Sequence, residues 1–163
     1  RIGYLLGPDG PLMSAMVQRT SDAGFSAPLF VQEMASWMLD GPIDGQIRSV
    51  NQGYREKALA VRAAIGEKLG PWLESVTGGS AGFYFYLTFR GLETHPESKF
   101  FSILARGGEA PRVIYIPGVY CVAADGELRD VSRRQLRLSY GFEETERILE
   151  AVEWMRRAAE ERG

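Results

Sequence analysis

Residues 83–89 read FYFYLTF, in which Phe83, Phe85, Leu87 and Phe89 alternate with Tyr84, Tyr86 and Thr88. Successive side chains of a strand point to opposite faces, so this alternation predicts a strand with two unlike surroundings. One set is purely apolar and suits a core. The other carries hydroxyls and suits helices or a cleft that offers polar partners. A second strand is predicted at residues 135–140, where Leu136, Leu138 and Tyr140 alternate with Gln135, Arg137 and Ser139.

Helical periodicity surrounds these strands. From Pro28 to Leu39 the sequence PLFVQEMASWML is almost wholly apolar, with proline suited to a first turn, and predicts a buried helix that ends at Gly41-Pro42. Between Ile43 and Leu69, Ile47, Val50, Tyr54, Ala58, Val61, Ile65 and Leu69 recur at spacings of three and four, which is one continuous helical stripe. Gly45, Gly53 and Gly66 each weaken such a helix by about 1 kcal/mol relative to alanine. Residues 98–106 form a shorter helix with Phe100, Phe101 and Leu104 on its apolar side. Residues 143–161 form a last one, buried through Ile148, Val152, Met155 and Ala159, with glutamates at its start and arginines near its end as the macrodipole favours.

Residues 2–6 and 112–116 read as further strands, the first ending at the turn Gly7–Gly10 and the second at Pro117-Gly118. The fold class is therefore α/β or α+β, a small sheet with helices packed on it.

Composition excludes several functions. With 19 basic and 21 acidic side chains in 163 residues, the chain lacks the basic surface of a general nucleic-acid binder. No apolar run approaches the roughly 18 to 20 residues that span a bilayer, so the chain reads as soluble and cytoplasmic, with no membrane partner. Cys121 is the only cysteine, which rules out an internal disulfide; beside apolar residues it reads as a buried structural thiol. His95, the single histidine, stands in the polar loop LETHPESK, where solvent exposure is expected, and without companions it indicates no metal. The glycine-rich segments GPDGPL and TGGSAG lack the lysine or the spacing of phosphate-binding loops and read as turns.

Arg137 is the conspicuous residue. If the leucines beside it meet the core, its guanidinium projects from the opposite face of a rigid strand, as a planar fork of donors that matches a carboxylate. The plainer alternative is an arginine paired to a nearby Asp or Glu, or facing water. Pattern alone leaves both open.

Three stretches together resemble the C-terminal part of pyridoxal-phosphate-dependent aminotransferases of fold type I, class I/II. RIGYLLGP at 1–8 resembles the R-x-G-Y segment that follows the cofactor lysine. VIYIPGVYC at 113–121 resembles the strand and Pro-Gly turn before an irregular loop, and RQLRLSYGFEETERILEAV at 134–152 resembles the closing R-L-S strand and final helix. Residues 28–69, including YREKALAVR at 54–62, fit the helices that connect the large and small domains.

The resemblance implies three regions: 1–27 as the end of a cofactor-binding large domain and its linker, 28–69 as connecting helices, and 70–163 as the small C-terminal domain. It implies that Arg137 grips the substrate α-carboxylate and that Arg1 binds the phosphate of pyridoxal 5'-phosphate. Expected substrates are an amino acid and a 2-keto acid, and the intact protein is expected to be a homodimer. The cofactor lysine is expected upstream of Arg1, because Lys57, Lys68 and Lys99 lie in the wrong segments, and the chain alone is expected to be inactive. The opening at Arg1 reads as a cut from something longer. Residues 89–112, FRGLETHPESKFFSILARGGEAPR, depart from the family as a long insertion. Lyase or deaminase chemistry, an aminocyclopropane-carboxylate synthase, and the effector domain of a transcription regulator are the alternatives on the same fold.

Overall fold

The computed structural model describes residues 2–106 and 111–161. The chain divides into two compact units, Arg1–Ser49 and Val50–Gly163. That division falls inside the segment 28–69 expected to form connecting helices.

The first unit holds α1 (Pro11–Asp22), α2 (Leu29–Asp40) and the beginning of α3 (Ile43–Leu69). Helix α1 was not expected; Pro11 opens it at a position where a missing N–H costs nothing. Residues 2–6, expected as a strand, run without regular structure. A strand needs a neighbour to accept its hydrogen bonds, and no pairing includes these residues. Helix α2 ends at Gly41 as its sequence suggests, but none of its residues is buried, contrary to the expected buried helix. Phe30, Trp37 and Leu39 all stand largely exposed. Apolar composition marks a surface as buriable; burial needs a partner, and the described residues of this unit build no core of their own.

The second unit continues along α3 into β1 (Leu73–Gly78), β2 (Tyr84–Phe89), α4 (Lys99–Arg106), β3 (Ile116–Pro117), α5 (Arg129–Ser132), β4 (Gln135–Ser139) and α6 (Thr145–Glu160). The sheet has the order β1-β2-β4-β3, and every pair is antiparallel. Register sets Phe85 opposite Leu138 and Leu87 opposite Leu136, so one face is a continuous apolar surface. It shares one hydrophobic cluster with Val61, Ile65 and Leu69 of α3, Phe100 and Leu104 of α4, and Val152 and Met155 of α6. The Phe89 and Phe100 rings are 5.8 Å apart, and Phe85 lies 5.2 Å from Tyr140.

The stripe of α3 is used only from its middle onward: Ala58, Val61, Ala64, Ile65 and Leu69 are buried, whereas Ile47 and Val50 are exposed. Polar ties reinforce the packing. Lys57 Nζ donates to the Glu143 carbonyl at 2.6 Å, and Lys68 Nζ lies 3.2 Å from a Glu153 carboxylate oxygen on α6.

Two strands differ from expectation. β1 carries few apolar residues and owes its conformation to pairing with β2. The segment TGGSAG ends β1 and turns toward β2. Gly78 and Gly79 both have positive φ, and a Cβ on Gly78 would stand 2.3 Å from the Tyr84 carbonyl oxygen, so glycine is required there. The strand expected at 112–116 pairs with β4 only through Ile116 and Pro117. Its earlier part keeps the alternation, with Val113 and Tyr115 buried and Ile114 exposed, but turns to α4: the Val113 amide donates to the Leu104 carbonyl.

Candidate functional site

Strand β4 reproduces the predicted alternation, with Leu136, Leu138 and Tyr140 buried and Gln135 and Arg137 half-buried on the other face. Opposed residues of an antiparallel sheet share a face. Arg137 therefore stands between Tyr86 of β2 and Ile116 of β3, in a row that continues to Thr77 of β1. Two residues along β2, the ring of Tyr84 lies 4.4 Å from the guanidinium carbon of Arg137.

Among the described residues no acid answers this charge. Among the described residues Arg137 enters no ion pair and no side-chain hydrogen bond, and its Nε is buried without a partner. A buried donor left unmatched costs about 1–3 kcal/mol. Of the plainer alternatives, ion pairing is not built among the described residues, which leaves an arginine that faces water or a ligand. The other arginines of this region are engaged: Arg134 with Glu74 at 2.8 Å, and Arg133 with Glu93 at 3.3 Å.

Around Arg137 the polar face is internally ordered. The Tyr86 hydroxyl donates to Gln135 Oε1 at 3.1 Å, and Gln135 Nε2 donates to Thr88 Oγ1 at 3.1 Å. Burial pushes the Tyr86 phenol above its ordinary range; the thiol of Cys121 beside it acts in the same direction and the charge of Arg137 opposes. Cys121 is exposed rather than buried. The turn Gly118–Tyr120 carries it past the sheet edge onto the polar side, and Gly118 permits that path because a Cβ there would meet Gln135 at 2.6 Å.

His95 also departs from expectation. It is only 6 % exposed, because its loop is pinned to the chain entering β4. The Thr94 amide donates to the Arg133 carbonyl at 2.7 Å, its hydroxyl donates to the Gln135 carbonyl at 2.6 Å, and the Tyr115 hydroxyl donates to the Thr94 carbonyl at 2.9 Å. Polar loop residues pointed toward water; these long-range bonds point the other way. His95 Nε2 lies 2.8 Å from Glu93 Oε2 and 2.9 Å from Arg133 Nη2. His95 and Arg133 together hold the Glu93 carboxyl below its usual range.

Arg1 lies outside the described residues. The three lysines are all engaged: Lys57 and Lys68 as above, and Lys99 Nζ on the Glu161 carbonyl at 3.0 Å. Among the described residues, no group of three or more His, Cys, Asp or Glu side chains is placed to hold a metal ion, and no helix is long and apolar enough to cross a membrane. A groove of about 660 Å³ between α3 and the turn after β1, lined by Tyr54, Arg55, Leu59 and Tyr140, does not include Arg137.

No protein-family model and no curated protein matches the chain. Its structure is similar to that of LysN, the α-aminoadipate aminotransferase of Thermus thermophilus, in a crystal structure complexed with N-(5'-phosphopyridoxyl)-L-leucine. The TM-score is 0.74 at 23% sequence identity, over 92% of this chain and 36% of that one. The fold, mixed helices on a small antiparallel sheet, is thus similar to that of an aminotransferase domain. This chain spans about a third of the length of the protein it matches, 36%.

Proposed function

We propose that this chain is the substrate-gripping domain of a pyridoxal-phosphate-dependent aminotransferase that moves an amino group between an amino acid and a 2-keto acid, with Arg137 as the ligand of the α-carboxylate. The observation that carries the proposal is the isolation of Arg137. A guanidinium on a rigid central strand, turned away from the core and left without an acid among the described residues, is arranged for an anion from outside the chain. The structural similarity to an aminotransferase domain supports the identity of that anion.

The described residues do not by themselves fit the cofactor. Each lysine is tied to a carboxylate or a backbone carbonyl, and none stands beside Arg137 on the polar face of the sheet. On the resemblance we propose that the cofactor's reactive lysine lies in polypeptide other than this chain, Lys57, Lys68 and Lys99 standing in other segments, and that Arg1 is the phosphate ligand. The contribution of this chain is to bind and orient substrate. Arg137 supplies fixed charge, and the Tyr86–Gln135–Thr88 chain of hydrogen bonds keeps the surface around it ordered.

The test is amino-group transfer by the protein that carries this chain, measured as 2-keto acid formed from a panel of amino donors. Arg137→Ala is expected to lower kcat/KM about a hundredfold, the equivalent of about 3 kcal/mol for lost charge-assisted hydrogen bonds. Turnover unaffected by the substitution would remove Arg137 from substrate binding, and a protein that transfers no amino group to any keto acid would end the proposal.

A further inference from the structure

Building on the reading of Arg137 as a carboxylate ligand, we infer that Tyr84 is a positioning residue: its ring holds the guanidinium in one orientation before any substrate arrives. Tyr84 and Arg137 are diagonal neighbours on the polar face, because Tyr86 is the residue directly opposite Arg137. At 4.4 Å from the ring centre the guanidinium is well within the range of a cation–π contact, and this is its one contact of that kind among the described residues.

The need for such a contact follows from the chemistry of arginine. Its flexible stem carries about 2 kcal/mol of rotamer entropy, which an unpaired arginine would lose at the moment of binding. A ring that already orients the fork reduces that loss, and preorganisation of this kind strengthens binding without adding a contact to the ligand. The buried Nε gives the fork a direction. With Nε closed off in a half-buried side chain, the terminal Nη pair is the reachable end, so the carboxylate is taken end-on by two parallel donors.

The phenol hydroxyl of Tyr84 makes no side-chain hydrogen bond among the described residues, so the ring alone carries the effect. That separates Tyr84 from Tyr86, whose hydroxyl is committed to Gln135.

The experiment follows the guanidinium ¹⁵N resonances of Arg137, assigned by their loss in Arg137→Lys, while the chain is titrated with L-leucine and, as an ionic-strength control, sodium chloride. L-Leucine is expected to shift these resonances saturably and chloride to leave them in place. Tyr84→Phe is expected to titrate as the parent does. Two variants without a ring, Tyr84→Leu and Tyr84→Val, are expected to need about two- to fivefold more leucine, the range given by an exposed cation–π contact. Backbone amide spectra identify the variant that keeps its fold. Parent-like titration by a folded variant without the ring overturns the positioning role and leaves the carboxylate reading standing. Absence of any leucine-dependent change at Arg137 in the parent overturns the carboxylate reading itself.

Discussion

Replacing Arg137 by methionine separates what the residue does for the fold from what it does for a ligand. Methionine keeps an unbranched stem of similar reach and removes the charge. In the folded chain two opposed contributions disappear. The buried, unpartnered Nε costs about 1–3 kcal/mol, and its removal stabilises. The stacking on Tyr84 contributes about 0.5–1 kcal/mol, and its removal destabilises. No acid is orphaned, because none pairs with Arg137 among the described residues. The balance runs from neutral to a gain of about 2.5 kcal/mol. Urea unfolding of the chain, followed by far-ultraviolet circular dichroism, reads this as an unchanged or raised midpoint at constant slope. A destabilisation of more than about 1 kcal/mol at unchanged slope would mean that contacts within the chain hold Arg137, and would refute the argument from its isolation. A residue that costs stability and binds substrate is the pattern expected at a functional site.

Two further outcomes probe the scaffold. The Glu153 carboxyl is held at about 2, chiefly by its hydrogen bond to Arg156 and then by Lys68 and Arg157, with burial opposing. Because the folded value lies below the unfolded one, this contribution is present above about pH 4.5 and is lost as pH falls toward 2. The ion pair is only partly exposed, and the drop in urea midpoint between pH 7 and pH 2.5 should be smaller in Glu153→Gln than in the parent. His95→Ala removes a buried ring from between Glu93 and Arg133 and is expected to cost about 1–2 kcal/mol; a loss within a few tenths in the same assay would return His95 to a solvated loop.

Much of the candidate site was legible because its signal is local. A strand turns its side chains alternately by covalent geometry, so the sequences FYFYLTF and QLRLSY alone separate Phe85, Leu87, Leu136 and Leu138 from Tyr84, Tyr86 and Arg137. The α6 stripe was legible for the corresponding reason, a period of 3.6 residues. Tyr84 was visible only as one hydroxyl-bearing ring among others. Its place over Arg137 depends on the register of β2 against β4, which no local pattern encodes.

What remained for the tertiary structure was every question of partnership. β1 is a strand because β2 lies beside it, and the expected strand at 112–116 shrinks to two residues because α4 takes its hydrogen bonds. His95 is buried by bonds from Thr94 to residues some 40 positions away, and Cys121 is exposed by the turn before it. The helix at Leu29–Asp40 is apolar in sequence and uncovered in structure. By itself the sequence determined which faces could be buried and where Arg137 could point. Only the folded chain decided that its charge goes unanswered among the described residues, because an ion pair depends on two side chains meeting in space, and their separation along the chain says nothing about that.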